Sequence, residues 1–381
     1  MSGRAAGRIV HVIVGVRQGG AEKVLTDVVN AGAGGLEHHV VSLLAGEPFF
    51  PLNATSFHSL GLTRGQISPG AIRRLRAVVR GLRPALVQGW LYHGNLASLF
   101  VRDLTPALLW SIHNTDLPAG FSKPATRLID RICALCSGFA PDRIVYASEP
   151  ARCVHERLGY APAKGAVIEN GIDLDAFRLS LGERGRSRSA LNLSEADKVI
   201  GCVARFDPQK DHRTLIRAFA AAAKRRPDVR LALVGDGCTG ENAALTQWLR
   251  EEGVAERTLL LGRRADIRAV MSALDLVVIA SAYGEALPLV ALEAAALDRP
   301  VVATDVGEVR PFALDPDDIV PPQSPERLAD AILNALGRND GPADEPARAR
   351  RRRLEQRFSS HAMMARYAML YAAAVPARDG P

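Results

Sequence analysis

Between Leu276 and Thr304 the sequence runs LVVIA, then a polar loop, an apolar helix and PVVAT. Short continuous apolar runs without polar alternation read as strands buried on both faces, which are the strands of parallel sheets with helical crossovers. Pro288 sits near the first turn of the helix, where a missing N–H costs nothing. This strand–loop–helix–strand unit commits the region to an α/β fold. Its loop delivers Glu285 to the carboxyl end of a strand, and its helix carries Glu293 about two turns further on. Backbone N–H groups at the helix start, near Ala286, Leu287 and Leu289, suit a phosphate.

A carboxylate on each side of an anion-binding helix start suits a ligand whose phosphates are flanked by hydroxyl-rich groups, as in a nucleotide sugar. On spacing alone, a surface Glu followed by an unrelated helix Glu would read the same. The flanking residues add to it: Glu285-x7-Glu293, with Pro288 and Ala294, resembles the E-x7-E signature of retaining glycosyltransferases of family 4. That resemblance implies the GT-B fold, two Rossmann-like doubly wound α/β domains facing across a cleft. The chain departs from the family pattern at Ala286, where Gly is usual, and at Asp298, where the helix normally ends in Gly. Asp tolerates the left-handed conformation better than most residues.

At 381 residues the chain is long enough for two domains, and 48% hydrophobic with 23% charged residues is a globular composition. No apolar run approaches the roughly 20 residues that span a bilayer. Arg4 and Arg8 ahead of Ile9–Val16 mimic a signal peptide. However, His11 and Gly15 interrupt the run and no small-residue cleavage site follows, so a first β-strand and a cytoplasmic location are expected. The odd count of five cysteines implies no disulfide framework, and Cys133-x2-Cys136 reads as small buried helix residues. Residues 1–170 hold 18 Lys and Arg against 11 Asp and Glu, whereas residues 171–381 hold 30 of each. No aromatic-studded basic motif points to nucleic acid, so none is expected as a partner. The excess suits an anionic membrane surface, peripheral on the inner face of the plasma membrane, or an anionic acceptor.

In the first half, Ile9–Val16 is a strand, and Gln18-Gly19-Gly20-Ala21-Glu22 opens a helix through about Ala31. Glycines there let a backbone approach a phosphate or sugar, and the turn resembles the family's Gly-Gly-Ala-Glu. His38–Leu44 is the next strand, and the stretch 48–56 carries no assignment. Ala71–Leu82, with Arg73, Arg74, Arg76 and Arg80, is an amphipathic helix whose charges suit either a solvated face or a membrane surface. Leu86–Gln88 enters a strand, and residues 89–95 read as a polar and aromatic loop. Its Tyr92, His93 and Asn95 are candidate acceptor contacts, although capping and packing roles fit Tyr92 and His93 equally. His113 stands at the carboxyl end of Leu108–Ile112; a lone His there is commonly structural, while the resemblance makes it the active-site histidine that contacts the transferred sugar. Arg143–Ala147 is a later strand, and Val167–Asp173 resembles a hinge-proximal Asn-Gly motif, adding Asn170 to the donor contacts.

Residues 178–198, rich in Ser, Gly, Arg and Glu, read as a linker between domains 1–177 and 199–355, with a final helix in 356–381 that in relatives crosses back onto the first domain. After Val199–Ala204 come Arg205 and Lys210, two cations on a strand-end loop. Read alone they could face solvent; under the resemblance they match the diphosphate clamp. Gly235 ends the strand Arg230–Gly235, and Arg263 follows Leu259–Gly262 on a loop that in the family lies beside the nucleobase. Arg348 and Arg350–Arg353 read as a solvated helical face.

The resemblance implies transfer of a glycosyl group, with retention, from a UDP- or GDP-linked sugar to a hydroxyl of a glycan or lipid-linked acceptor, as in cell-surface polysaccharide synthesis. Arg205, Lys210 and the helix start would stabilise the departing diphosphate, so no metal and no other cofactor is expected. Glu293 would hold the ribose, Glu285 the sugar hydroxyls, and His113 would orient the sugar from the other domain, with closure between the halves. A nucleotide-sugar epimerase on the same fold and a catalytically silent donor-binding protein stay open.

Overall fold

The computed structural model describes residues 7–63, 68–118, 122–178, 180, 182–338 and 345–375. The chain divides into two compact units, Met1–Gly171 with Ser360–Pro381, and Ile172–Ser359. In the first unit β1 (Arg8–Ile13), α1 (Gly20–Asn30), β2 (Glu37–Leu44), β3 (Ser56–Leu62), α2 (Pro69–Leu82), β4 (Leu86–Trp90), α3 (Leu91–Leu99), β5 (Ala107–Ile112), α4 (Pro124–Cys136), β6 (Arg143–Tyr146), α5 (Glu149–Arg157) and β7 (Gly165–Val167) follow one another. The seven strands form one parallel sheet in the order β3-β2-β1-β4-β5-β6-β7. β4 and β5 are buried at every position, as their unbroken apolar runs require. Helix starts follow local chemistry: Ser68 Oγ accepts from Ala71 N at 3.2 Å with Pro69 in the first turn, and Ser148 repeats the arrangement for α5.

The second unit contains α6 (Glu183–Ala190), β8 (Lys198–Val203), α7 (His212–Arg225), β9 (Val229–Val234), α8 (Ala243–Glu251), β10 (Thr258–Gly262), α9 (Ile267–Ala273), β11 (Leu276–Ile279), α10 (Leu289–Ala296), β12 (Val301–Thr304), β13 (Ile319–Val320), α11 (Pro325–Arg338) and α12 (Glu345–Arg357). Its six strands are parallel in the order β10-β9-β8-β11-β12-β13. Strand order reverses between β1 and β4 in one unit and between β8 and β11 in the other, and such switch points are where doubly wound sheets bind ligands. Just past α10, Asp298 takes a left-handed φ of 55°, the conformation a terminal glycine would adopt. The last helix, α13 (Ser360–Ala374), belongs to the first unit. It buries Met363, Tyr367 and Tyr371, spaced four apart on one face, and Tyr371 Oη donates to Gln88 Oε1 at 2.6 Å.

Several readings of the sequence change. The stretch 48–56 leads into β3, an edge strand too polar to stand out. The supposed linker 178–198 holds α6, which packs on α9 through buried Arg188. The guanidinium donates to the carbonyls of Ala273 (2.9 Å), Ser194 (2.5 Å) and Asp197 (2.6 Å), which is why a polar segment is nonetheless core. The loop expected at 89–95 is the end of β4 followed directly by α3, because Gly94 lets the helix lie against β1: a Cβ there would meet Val12 O at 2.4 Å. In the basic cluster, Arg350 is buried rather than solvated, donating to Arg299 O at 3.0 Å, and burial lowers its pKa to about 10. The side chain of Arg348 lies outside the described residues.

Candidate active site

At the β8/β11 switch point two loops meet. One follows β8 and carries Arg205 through Asp211; the other follows β11 and carries Ser281 through Pro288. Ala282 N donates to Gln209 O at 2.8 Å, joining their backbones. Lys210 Nζ forms an ion pair with Glu285 Oε1, and Ser281 Oγ donates to the same oxygen at 2.7 Å. Thr304 Oγ1 holds Ser281 from behind through its carbonyl at 2.6 Å. Oε1 is thus engaged twice, leaving Oε2 for a ligand hydroxyl. Burial pushes the Glu285 carboxyl up, but the Lys210 charge, the two donors and the nearby Arg205 outweigh it and hold it below the usual carboxylate range. Arg205 is half-exposed, touching Asp207 at 3.2 Å and Gln209 at 3.4 Å.

Backbone geometry sets this edge. Gly235, with φ 146°, lies under the clamp loop, where a Cβ would stand 2.1 Å from Ala204 O. Gly307, with φ 71°, does the same beneath the second loop, 2.0 Å from Glu285 O, while Glu308 N donates to Ala286 O at 2.8 Å. Ala286 itself has no positive φ, so alanine fits the loop without strain. Ala286 and Leu287 are buried, Pro288 caps α10, and Leu289 begins it. Glu293 stands half-buried on α10. Arg263 follows β10 and pairs with Asp236 at 3.4 Å. Arg205, Lys210, Gly235, Arg263, Glu285, the 286–289 turn and Glu293 therefore share the carboxyl edge of one sheet.

The first unit, described by itself, holds the other residues singled out in the sequence. Gly19 caps α1 and Gly20 begins it, beyond β1. Asn170, near the end of β7, is buried. Beyond β5, His113 stacks on Trp90 with centroids 5.3 Å apart and rings 13° from parallel, and neither ring nitrogen, both shielded from solvent, has a hydrogen-bond partner. Burial lowers its pKa to about 4, so the imidazole is neutral at pH 7. Trp90 is itself fixed by two histidines that sequence reasoning passed over. His38 Nε2 faces Ala33 O at 3.0 Å, which only accepts, so it carries the proton. His38 Nδ1 then accepts from His11 Nε2 at 2.9 Å, and His11 Nδ1 accepts from Trp90 Nε1 at 3.1 Å. Burial lowers both histidine pKa values. Their signal was faint: two histidines inside apolar strand runs. Ser281 gave none beyond standing four residues before Glu285.

The acceptor candidates fare differently. Tyr92 is buried, its hydroxyl 2.8 Å from His155 Nε2, and Asn95 is buried with its side chain bridging the backbone of Ser111, accepting from N and donating to O at 3.3 Å each. Both are packing residues, because α3 turns them inward instead of leaving them on a loop. His93 remains half-buried, and burial lowers its pKa.

Residues 18–176 match the profile described as Glycosyltransferase Family 4, and residues 197–338 match that of Glycosyl transferases group 1. The chain belongs to glycosyltransferase family 4. Both units together have the GT-B fold. Over 152 residues this family 4 chain is 40% identical to the D-inositol 3-phosphate glycosyltransferase of Mycobacterium marinum, covering 38% of this chain and 31% of that protein. The Rhodococcus erythropolis protein of the same name is 32% identical over 228 residues, 58% of this chain and 50% of the relative. The matches thus span a half or less of these relatives. Among solved structures, Anabaena HepE in complex with UDP-glucose superposes with a TM-score of 0.82 at 22% identity, covering 96% of this chain and all of that one. WaaG, a glycosyltransferase involved in lipopolysaccharide biosynthesis, gives 0.71 at 16% identity over 95% and 98%.

Proposed function

We propose that this chain transfers a hexosyl group, with retention, from a nucleotide-diphosphate sugar to a hydroxyl of a glycan or lipid-linked acceptor in cell-surface polysaccharide synthesis. The observation that carries the proposal is the convergence of Lys210, Ser281 and Glu285 at the β8/β11 switch point beside Arg205 and the start of α10. Departure of a nucleoside diphosphate builds negative charge, and Lys210, Arg205 and the amides near Leu289 are groups that stabilise it, without a metal. Glu285 Oε2 accepts a sugar hydroxyl, Glu293 the ribose hydroxyls, and neutral His113 orients the sugar. Gly19, Gly20, Asn170, Gly235 and Arg263 complete the donor contacts. The UDP-glucose complex of HepE favours a UDP-linked donor, and the inositol phosphate relatives favour a hydroxyl acceptor bearing an anionic group. The positive first half suits peripheral attachment to an anionic membrane on the cytoplasmic side.

The test is incubation with UDP-sugars, with and without lipid-linked acceptors and a chelator. Transfer with the anomeric configuration kept and turnover unchanged by chelation is the expected result. Epimer formation without acceptor would make the chain an isomerase, and tight UDP binding with no turnover on any acceptor would make it a silent binder.

A further inference from the structure

Among the described residues six large apolar side chains are left in solvent; Phe100, Leu158 and Met369 stand singly on other parts of the chain, and the other three fall on α4 and the turn that follows it. Leu128 is 59% exposed, Leu135 80% and Phe139 76%. The first two lie on α4, two turns apart on one face. Phe139 continues the line, because Phe139 N and Ala140 N both donate to Cys136 O, carrying the chain one further turn. The ridge is about 16 Å long at helical rise. The opposite side of α4 is buried through Ile129, Asp130, Cys133 and Ala134, so the ridge is not the helix's packing face.

Charge is arranged around it with one sign. Lys123 and Arg131 are exposed, Arg127 is partly so, and none of the three forms an ion pair among the described residues. The one acid of α4, Asp130, is turned inward and accepts from Tyr160 Oη at 2.7 Å. The unit containing α4 carries 20 Lys and Arg against 12 Asp and Glu, whereas the other has 28 against 29. By contrast α2, the arginine-rich helix, buries its apolar Leu75 and Val79 and ties Arg76 to Asp103 at 2.6 Å, so it offers charge without a ridge.

An apolar ridge with cations beside it, on a helix whose one acid is turned inward, matches the boundary between lipid phosphates and acyl chains, where Lys and Arg reach outward while apolar groups enter. A protein partner would instead have to supply a groove for three large side chains. We propose that α4 and the turn through Phe139 are the membrane-docking surface of this chain. Leu128, Leu135 and Phe139 enter the acyl boundary of an anionic bilayer, and Lys123, Arg127 and Arg131 meet its phosphates. This deepens the membrane attachment proposed above and is independent of which donor is used.

The experiment is sedimentation of the full chain with phosphatidylcholine vesicles with and without phosphatidylglycerol, alongside light scattering for self-association and UDP titration. Binding to the anionic vesicles alone, weakened at least about tenfold by Leu135→Ser with Phe139→Ser, is expected. Lys123→Ala, Arg127→Ala and Arg131→Ala should each weaken it about fivefold at low salt, with the difference from the parent shrinking as salt is raised. Unchanged UDP affinity in every variant shows that the fold and the donor edge survive. Vesicle binding that ignores all five substitutions overturns the proposal. So does a dimer that Leu135→Ser with Phe139→Ser dissociates while vesicles capture neither form, since the ridge is then an interface between copies. Loss of the transferase reading would appear separately, as failure to bind UDP.

Discussion

Lys210 and Glu285 illustrate how one contact serves two purposes. They neutralise one another in a buried setting, and in the clamp proposed above Lys210 would also face the diphosphate. Lys210→Ala should weaken UDP binding roughly ten- to a hundredfold while leaving UMP binding much less affected, on the scale of a lost charge-assisted contact. Calorimetric titration of both nucleotides checks this, and equal losses would remove Lys210 from the clamp. The same substitution strands the Glu285 carboxylate, so stability should fall by about 1–3 kcal/mol and recover when Glu285→Gln is added, whereas UDP affinity should not. Glu285→Gln alone should preserve UDP binding and reduce turnover about a hundredfold. Glu293→Gln should raise the donor's Kd whichever sugar is attached. Transfer within twofold of the parent for both glutamate variants would make the E-x7-E spacing accidental.

At the level of elements, the loop entering α10 is shaped from beneath by the turn after β12. Gly307 combines a left-handed φ with a close approach to Glu285 O, so no side chain fits without moving the loop. Gly307→Ala should cost more than about 1 kcal/mol, from φ strain and from the clash together. It should also lower turnover, because the displaced segment carries Glu285. Urea unfolding and steady-state rates measure the two, and an unchanged rate would show that the loop can shift without consequence. At α10 itself the sequence already told much: Pro288 at its cap and Asp298 beyond its end mark both limits.

For the whole molecule, buried neutral histidines set the acid limit. Burial holds His113 and His212 down to about 4, and lowers His11 and His38 as well. The unfolded chain protonates near 6.5, so between about 6.5 and 4 it binds more protons than the folded chain, and stability falls as pH falls. Each such histidine contributes a slope of up to about 1.4 kcal/mol per pH unit. Denaturant titrations at pH 7 and pH 5 should show the loss, and replacing His113 with Asn should flatten it. A stability independent of pH over this range would mean these histidines are solvated.

Local sequence determined the apolar parallel strands, though not β3, β7 or β13, the ends of α1, α2 and α10, and the positions of Arg205, Lys210, Glu285 and Glu293, because each rests on a run of adjacent residues or a fixed spacing along one element. Apolar strands such as β5 are readable since both faces must be dry. Polar residues that serve as core were not readable. Arg188 and Arg350 are recognised as buried only once the carbonyls they satisfy are folded around them, and Tyr92 and Asn95 only once Gly94 lets α3 lie on β1. The His38–His11–Trp90 relay joins residues from three strands, and the Ser281–Glu285–Lys210 contact joins two loops. Such partners become neighbours through strand order, which tertiary packing decides and no single stretch of chain encodes.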